Sequence, residues 1–429
     1  MNKLNIGLIG YGVVGSGVAK LLNQRKNYIR NKFKTEFAIK SVCDVKISKR
    51  DTSGLGRAYL TTKFEDILED KSIDCVVELI GGLHPAKEII TGALKRGKHV
   101  VTANKAVIST FGRELFRLAR EKKRNIYFES SVGAGIPIIK GITEGIAGNK
   151  VQRLYGIING TCNFILSEMT KNKITFSQAL KLAQKKGYAE SNPVLDINGM
   201  DSAHKLAILT YLAFGKFIKG EDIYKEGIKD ISHADIEYAD SLGLVIKLLT
   251  IAKKENDRIE ARVHPTLIPK EHPLASINGV YNAIYLDADP LGELMISGQG
   301  AGQMTAASGV VSDLINLASK DYDENLICNI YSEAKNVRIK AINNVQTRFY
   351  IRLQAIDKPG VLSKITGILG KHGIGINSVT QKAHNWMAAV PVVMLTDYIT
   401  EKELRQALDK IAELSIIRKK PVAIRMEKL

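Results

Sequence analysis

Residues 4–19 read LNIGLIGYGVVGSGVA: a short apolar run, three glycines in the spacing Gly10-Tyr11-Gly12-Val13-Val14-Gly15, then an apolar-periodic segment. Few structures satisfy that order. The first glycine permits a tight turn, the second lets backbone approach a pyrophosphate, and the third packs a helix on a strand. The helix N-terminus then faces the anion. The rest of the N-terminal third supplies the matching frame. FAIKSVCD, SIDCVVELIG, GKHVVTAN and RNIYFESSV read as further strands, with helical patterns such as HPAKEIITGALKRG and TFGRELFRLAREKK between them. Strands alternating with helices imply a doubly wound parallel sheet, an α/β Rossmann domain over residues 1–145.

After Val151 the pattern changes to a mixed α+β domain over 146–320. Its expected strands are VQRLYGIING, DRIEARVHPTLIP, GVYNAIYLD and GELMISGQG. Its expected helices are FSQALKLAQKKG, DSAHKLAILTYLAFG and EYADSLGLVIKLLTIAKK, the last covering 237–254. The helix over 303–319, rich in small residues, is expected to pack back on the first domain. A connection over 321–346 leads to a separate unit at 347–429. There the order of predicted elements is β-α-β-β-α-β, the ferredoxin-like motif.

Composition narrows the function classes. The chain of 429 residues carries 62 Lys+Arg against 44 Asp+Glu, a formal charge of +18. The basic residues are dispersed and not interleaved with stacking aromatics, so no nucleic-acid partner is expected; a lysine-rich surface that attracts anionic substrates accounts for the charge. No apolar run is long enough for a membrane span and no cleavable leader is evident. Cys43, Cys75, Cys162 and Cys328 are widely spaced, which points to a reduced, cytoplasmic setting. The histidines show no transition-metal spacing, and Cys162 reads as a buried small residue rather than a nucleophile.

Candidate chemistry concentrates in GYAESNPVLDINGMDSAHK, residues 187–205. Asn192-Pro193 and Asn198-Gly199 break helices, so the middle is expected to be loop. Asp201 and Lys205 stand four apart at the start of a strongly apolar helix. An exposed ion pair of that spacing contributes only about 0.3–0.5 kcal/mol. A lysine near the positive end of a buried helix is instead expected to be tuned downward, as neutral-pH proton transfer requires, with Asp201 opposing the shift while orienting the amine. Glu190 and Asp196 are acceptors suited to an ammonium group, or to loop solvation. Lys105, after the VTAN strand end, lies where ligands of doubly wound sheets bind. Asp44, ending the second strand, favours the 2'-hydroxyl of NAD; Lys46, Lys49, Arg50 and Arg57 are either 2'-phosphate ligands or surface charge.

GYGVVGSGV, VVTANKAVI, FESSVGAGIPII, GIINGTCNFIL, GYAESNPVLDINGMDSAHKLAIL and GQGAGQMTAASGVVSDL, in this order and spacing, resemble homoserine dehydrogenases of the single-function kind with a C-terminal ACT domain. The resemblance spans the chain. It implies reversible NAD(P)H-dependent reduction of L-aspartate 4-semialdehyde to L-homoserine in threonine and methionine synthesis, NADP being the favoured cofactor. The alternatives are another ACT-containing amino-acid or semialdehyde dehydrogenase, or a non-catalytic nucleotide-binding sensor. By resemblance Lys205 is the proton-transferring lysine and Lys105 a second lysine near substrate and nicotinamide. Glu190, Asp196 and Asp201 serve the substrate. Gly302 touches the cofactor along with Gly10, Tyr11, Gly12, Val13, Val14, Gly15 and Lys105. Glu129, Val132, Ala134 and Ile136 correspond to a sodium loop of oxygen donors, a set suited to a hard cation. Many members carry an acid where Asn192 stands. AIDKPGVLSKITGILGKHGIGI resembles an ACT domain, with Asp357 and Gly360 at its first strand-to-helix turn. Threonine is the implied effector, and a homodimer or homotetramer the implied assembly.

Overall fold

A computed structural model of the chain describes residues 2–319, 337–381 and 388–429. The chain forms two compact units, each drawn from three stretches: Met1–Gly160, Asp201–Ile223 and Val280–Val337 make the first, and Thr161–Met200, Tyr224–Gly279 and Arg338–Leu429 the second. The expected connection over 321–346 lies largely outside the described residues, as does Cys328.

In the first unit, β1 (Asn2–Ile9), β2 (Thr35–Cys43), β3 (Tyr59–Thr61), β4 (Cys75–Glu78), β5 (His99–Thr102) and β6 (Ile126–Tyr127) form a sheet in the order β3-β2-β1-β4-β5-β6. Every pairing in it is parallel. The strand order reverses beside β1, which places the glycine turn at the switch point of a doubly wound sheet. Cys75, Val76, Val77, Val100 and Val101 are wholly buried, the continuous apolar pattern of strands covered on both faces. Two details differ from the sequence expectation. The edge strand β3 was not anticipated. The strand expected over RNIYFESSV ends at Tyr127, because Glu129 already adopts a helical backbone (φ −51°, ψ −44°) and Ser130–Gly133 forms a helical turn.

The helix Gln303–Ser319 packs on this domain. Ala307, Val310, Val311, Leu314 and Leu317 share one core with Val18, Ala19 and Leu22 of the helix Val13–Gln24. Gly17 makes the approach feasible, since a Cβ there would lie 2.8 Å from Gln303 Cγ. The unit also contains the antiparallel strands Lys150–Ile157, Tyr281–Asp289 and Gly292–Gln299. Tyr211 on the helix Met200–Phe214 stacks on Phe116 of the helix Lys105–Glu121, with ring centroids 5.6 Å apart. That stacking ties together the two helices that carry the candidate lysines.

The second unit corrects one expectation. The segment 237–254 is not one helix. A helix runs His233–Ser241, begun by a reciprocal Ser232–Asp235 cap, and Leu244–Glu255 is a strand. Gly243, at φ +71°, adopts the left-handed conformation that ends the helix. The apolar run behind it pairs antiparallel with Arg258–Pro269 along its whole length. A buried strand and a buried helix share that composition, so periodicity could not separate them. The C-terminal portion is ferredoxin-like. Strands Ile417–Met426, Gln346–Ile356, Ala389–Thr396 and Ile376–Thr380 lie side by side in that order. The helices Val361–Lys371 and Glu401–Ala412 supply Val361, Ile365, Leu369, Leu404 and Ala407 to a core with Phe349, Ile351 and Leu353.

Candidate active site

The glycine turn is built by exclusion of side chains. Gly10 has φ +98°, and a Cβ there would lie 2.7 Å from the Leu79 carbonyl carbon. A side chain on Gly15 would run into the Gly10 carbonyl oxygen. In front of Gly12 the space is open, and Val13, 68% exposed, starts the helix behind it. Tyr11 N–H donates to Asp44 Oδ2 at 2.9 Å and Lys46 N–H to Asp44 Oδ1 at 2.7 Å, so the acid just after β2 fastens the turn. Arg50 approaches the same carboxylate at 3.6 Å. A second helix start meets the first: Gly302 (φ +128°) precedes Gln303, whose Nε2 donates to Ser16 Oγ at 3.0 Å. The open, backbone-lined space before Gly12, Val13 and Val14 fits the pyrophosphate of a dinucleotide.

The candidate lysines occupy the same unit. Lys105 opens the helix after β5, capped by Asn104, whose Oδ1 accepts from Val107 N–H. Asp201 and Lys205 lie at the start of the helix Met200–Phe214, with Asn198 Oδ1 accepting the Met200 N–H at 2.9 Å. The stretch before it is less irregular than expected, since Val194–Ile197 forms a short helix after Pro193. Lys105 Nζ lies 2.9 Å from Asp201 Oδ1, and Lys205 Nζ 2.9 Å from Asp201 Oδ2. Asn159 Nδ2 also donates to Oδ2 at 2.9 Å, and Lys205 Nζ donates to the Ile158 carbonyl at 2.7 Å. Asp201 is 7% exposed and Lys205 9%. Burial pushes the Asp201 pKa up, but the Lys205 and Lys105 ammonium groups outweigh it and hold the carboxyl well below the usual carboxylate range. Ile158 and Asn159 were missed by sequence reasoning. The NGT turn at the end of a strand was their only signal.

Around the expected sodium loop, Glu129 is buried, and its carboxylate accepts Ile139 N–H at 2.7 Å and Lys140 N–H at 3.0 Å. Ala134 sits at φ +55°, a tight turn that groups Val132, Ala134 and Ile136 near one another in the chain. Asp313 was not anticipated: its Oδ2 accepts the Glu129 N–H at 2.9 Å, and Lys140 Nζ lies 3.3 Å from its Oδ1. One carboxylate with backbone carbonyls is a donor set compatible with a hard monovalent cation. No cluster of three or more acidic, His or Cys ligands occurs among the described residues.

Glu190 and Asp196 belong to the second unit. Glu190 is exposed, and its carbonyl accepts from Gln184 Nε2 at 3.2 Å. Asp196 is half-buried; Thr161 Oγ1 donates to its Oδ2 at 3.4 Å and Cys162 Sγ to its carbonyl at 3.3 Å. Cys162 is fully buried, in a helix, Gly160–Asn172, that was not anticipated. In the C-terminal portion Gln381 Nε2 donates to Asp357 Oδ1 at 3.1 Å, and Gly360 (φ +82°) caps the helix Val361–Lys371.

A dinucleotide cradle at the carboxyl edge of a parallel sheet, with two lysines sharing one buried carboxylate, defines a nicotinamide-nucleotide-dependent oxidoreductase. Comparison with known proteins gives the family. Residues 137–315 match the family model described as homoserine dehydrogenase, residues 10–129 its NAD-binding domain, and residues 349–413 the ACT domain. A homoserine dehydrogenase of Synechocystis sp. is 41% identical over 99% of this chain and 99% of the relative. The crystal structure of a homoserine dehydrogenase from Thiobacillus denitrificans is 39% identical and covers 100% of this chain and 99% of its own, with a TM-score of 0.91. A hyperthermophilic archaeal homoserine dehydrogenase in complex with NADPH is 28% identical over 76% of this chain and 99% of its own, with a TM-score of 0.65. The chain belongs to the homoserine dehydrogenase family and carries an ACT domain. It is an oxidoreductase that acts on a CH–OH group with a nicotinamide nucleotide. None of its described helices is long and apolar enough to cross a membrane.

Proposed function

We propose that Lys205, with Lys105 and Asp201, manages the proton and the developing charge as L-homoserine and L-aspartate 4-semialdehyde interconvert. The observation that carries this reading is the convergence of two ammonium groups on the two oxygens of one buried carboxylate. The bound nicotinamide nucleotide supplies the hydride to the substrate C4 in reduction and accepts it in oxidation. In reduction the C4 oxygen becomes an alkoxide, and Lys205 Nζ gives it a proton; in oxidation the same amine takes the hydroxyl proton. Two Lys205 donors are committed to Ile158 and Asp201, which aims the remaining one. Lys105 adds positive charge against the oxyanion. Glu190 and Asp196 bind the α-ammonium of the substrate, a role that rests on the family resemblance.

Asp201→Asn tests the cluster. It removes the negative charge on which both ammonium groups converge. The expected outcome is a kcat for homoserine oxidation lowered about a hundredfold. An unchanged kcat would sink the reading.

NADP is the proposed cofactor. Arg50 beside Asp44, with exposed Lys46, Lys49 and Arg57, supplies cations for a 2'-phosphate. Arg50→Ala is expected to raise KM for NADP+ about tenfold and leave KM for NAD+ unchanged; equal effects on both would remove the 2'-phosphate role. Sodium at Glu129, Val132, Ala134 and Ile136, threonine at Asp357 and Gly360, and a homodimer or homotetramer follow from resemblance. They are checked by exchange of Na+ for choline in thermal melts, by threonine titration of the rate, and by sedimentation equilibrium. A cytoplasmic setting is supported by the buried thiols of Cys43 and Cys75, which form no disulfide; secretion of the native protein would refute it.

A further inference from the structure

Glu78 ends β4 with no exposed surface, an acid closing a run of buried Cys75, Val76 and Val77. Its register partner on β5 is Thr102. Oε2 accepts the Thr102 hydroxyl at 2.6 Å, and Oε1 accepts the Ile80 N–H at 2.9 Å. The Thr102 hydroxyl itself accepts the Asn104 N–H at 3.0 Å, so its own proton is committed to Glu78. Asn104 in turn donates from Nδ2 to the Gly82 carbonyl at 2.8 Å and caps the helix that Lys105 opens. Directional bonds therefore run from a buried carboxylate to the residue before the lysine that reaches Asp201.

Burial pushes the Glu78 pKa up, and the bonds from Thr102 and Ile80 only partly offset it. An apolar residue would close β4 at lower desolvation cost. The acid has a use only if the directions it imposes matter. We propose that Glu78 is a positioning residue for the reaction: through Thr102 it holds the Asn104–Lys105 helix start and the Ile80–Gly82 turn in one geometry, and so sets where the Lys105 ammonium is presented. The inference rests on the reading of Lys105 given above.

Homoserine oxidation is measured for the full chain carrying Glu78→Gln, Thr102→Val, Thr102→Ser, Lys105→Ala and the double change Glu78→Gln with Lys105→Ala, each after NADP+ affinity and thermal midpoint are recorded. Glu78→Gln and Thr102→Val are each expected to lower kcat about ten- to hundredfold with NADP+ affinity retained. Thr102→Ser keeps the hydroxyl and is expected to stay within about threefold of the unsubstituted protein. In the Lys105→Ala background Glu78→Gln is expected to have no further effect, because groups acting through one another are non-additive. If the two losses multiply in the double variant, Glu78 does not act through Lys105 and the proposal is overturned. If Lys105→Ala alone is fully active, the reading of Lys105 fails, which the single variant reveals by itself. Should Glu78→Gln not fold, Thr102→Val with and without Lys105→Ala decides the same question.

Discussion

Lys205→Ala is expected to lower kcat for homoserine oxidation by about 10²–10⁴-fold, the range for loss of a positioned general acid–base. The dissociation constant for NADP+ should not change, since the cradle is built from Gly10 to Gly15 and the helix behind them. The fold should survive. Asp201 keeps Lys105 at 2.9 Å and the Asn159 amide at 2.9 Å, so no buried charge is left uncompensated. Lys205→Arg is the sharper companion. It preserves positive charge, but a guanidinium does not release its proton near neutral pH. If Lys205 only balanced charge, arginine would restore the rate; if it moves a proton, arginine should be about as slow as alanine. A loss under tenfold in Lys205→Ala, or full recovery with arginine, would refute the assignment.

The second large effect concerns stability. Asp235 is wholly buried on the helix His233–Ser241, and Arg352 on the strand Gln346–Ile356 grips it through Nε at 2.6 Å and Nη2 at 3.0 Å. The Tyr350 hydroxyl adds a bond to Asp235 Oδ1 at 3.1 Å, and the Ser232 N–H and hydroxyl complete the carboxylate's partners. Arg352→Met leaves that carboxylate without its cation, which should lower stability by about 3–5 kcal/mol in urea unfolding. Adding Asp235→Asn should recover part of the loss, because a neutral amide needs no counter-charge. A single-variant loss below about 1 kcal/mol, the value of a surface pair, would mean that the site is wetter than its burial indicates.

The parts legible beforehand were local in sequence. The glycine turn, the alternation of strands and helices, the β-α-β-β-α-β order and the Asp201–Lys205 spacing each need only a few neighbouring residues. The same local reading failed at 237–254. There Gly243 and pairing with Arg258–Pro269 decided between helix and strand, and the partner strand lies outside any short window. Glu129 and Glu78 show a related limit. Each acid was visible as a letter, but its partners Asp313 and Thr102 follow from strand order and from a helix returning from far along the chain.

By itself the sequence determined a dinucleotide turn at the end of a parallel strand, a buried helix starting with an acid and a lysine, and a C-terminal ferredoxin-like unit, because backbone permission, apolar period and capping are short-range properties. Only the tertiary structure decided that Lys105 and Lys205 meet at the same Asp201, with Ile158 and Asn159 fixing their directions. Electrostatic coupling depends on distance in space and on burial, and both arise only once separate segments of the chain pack against one another.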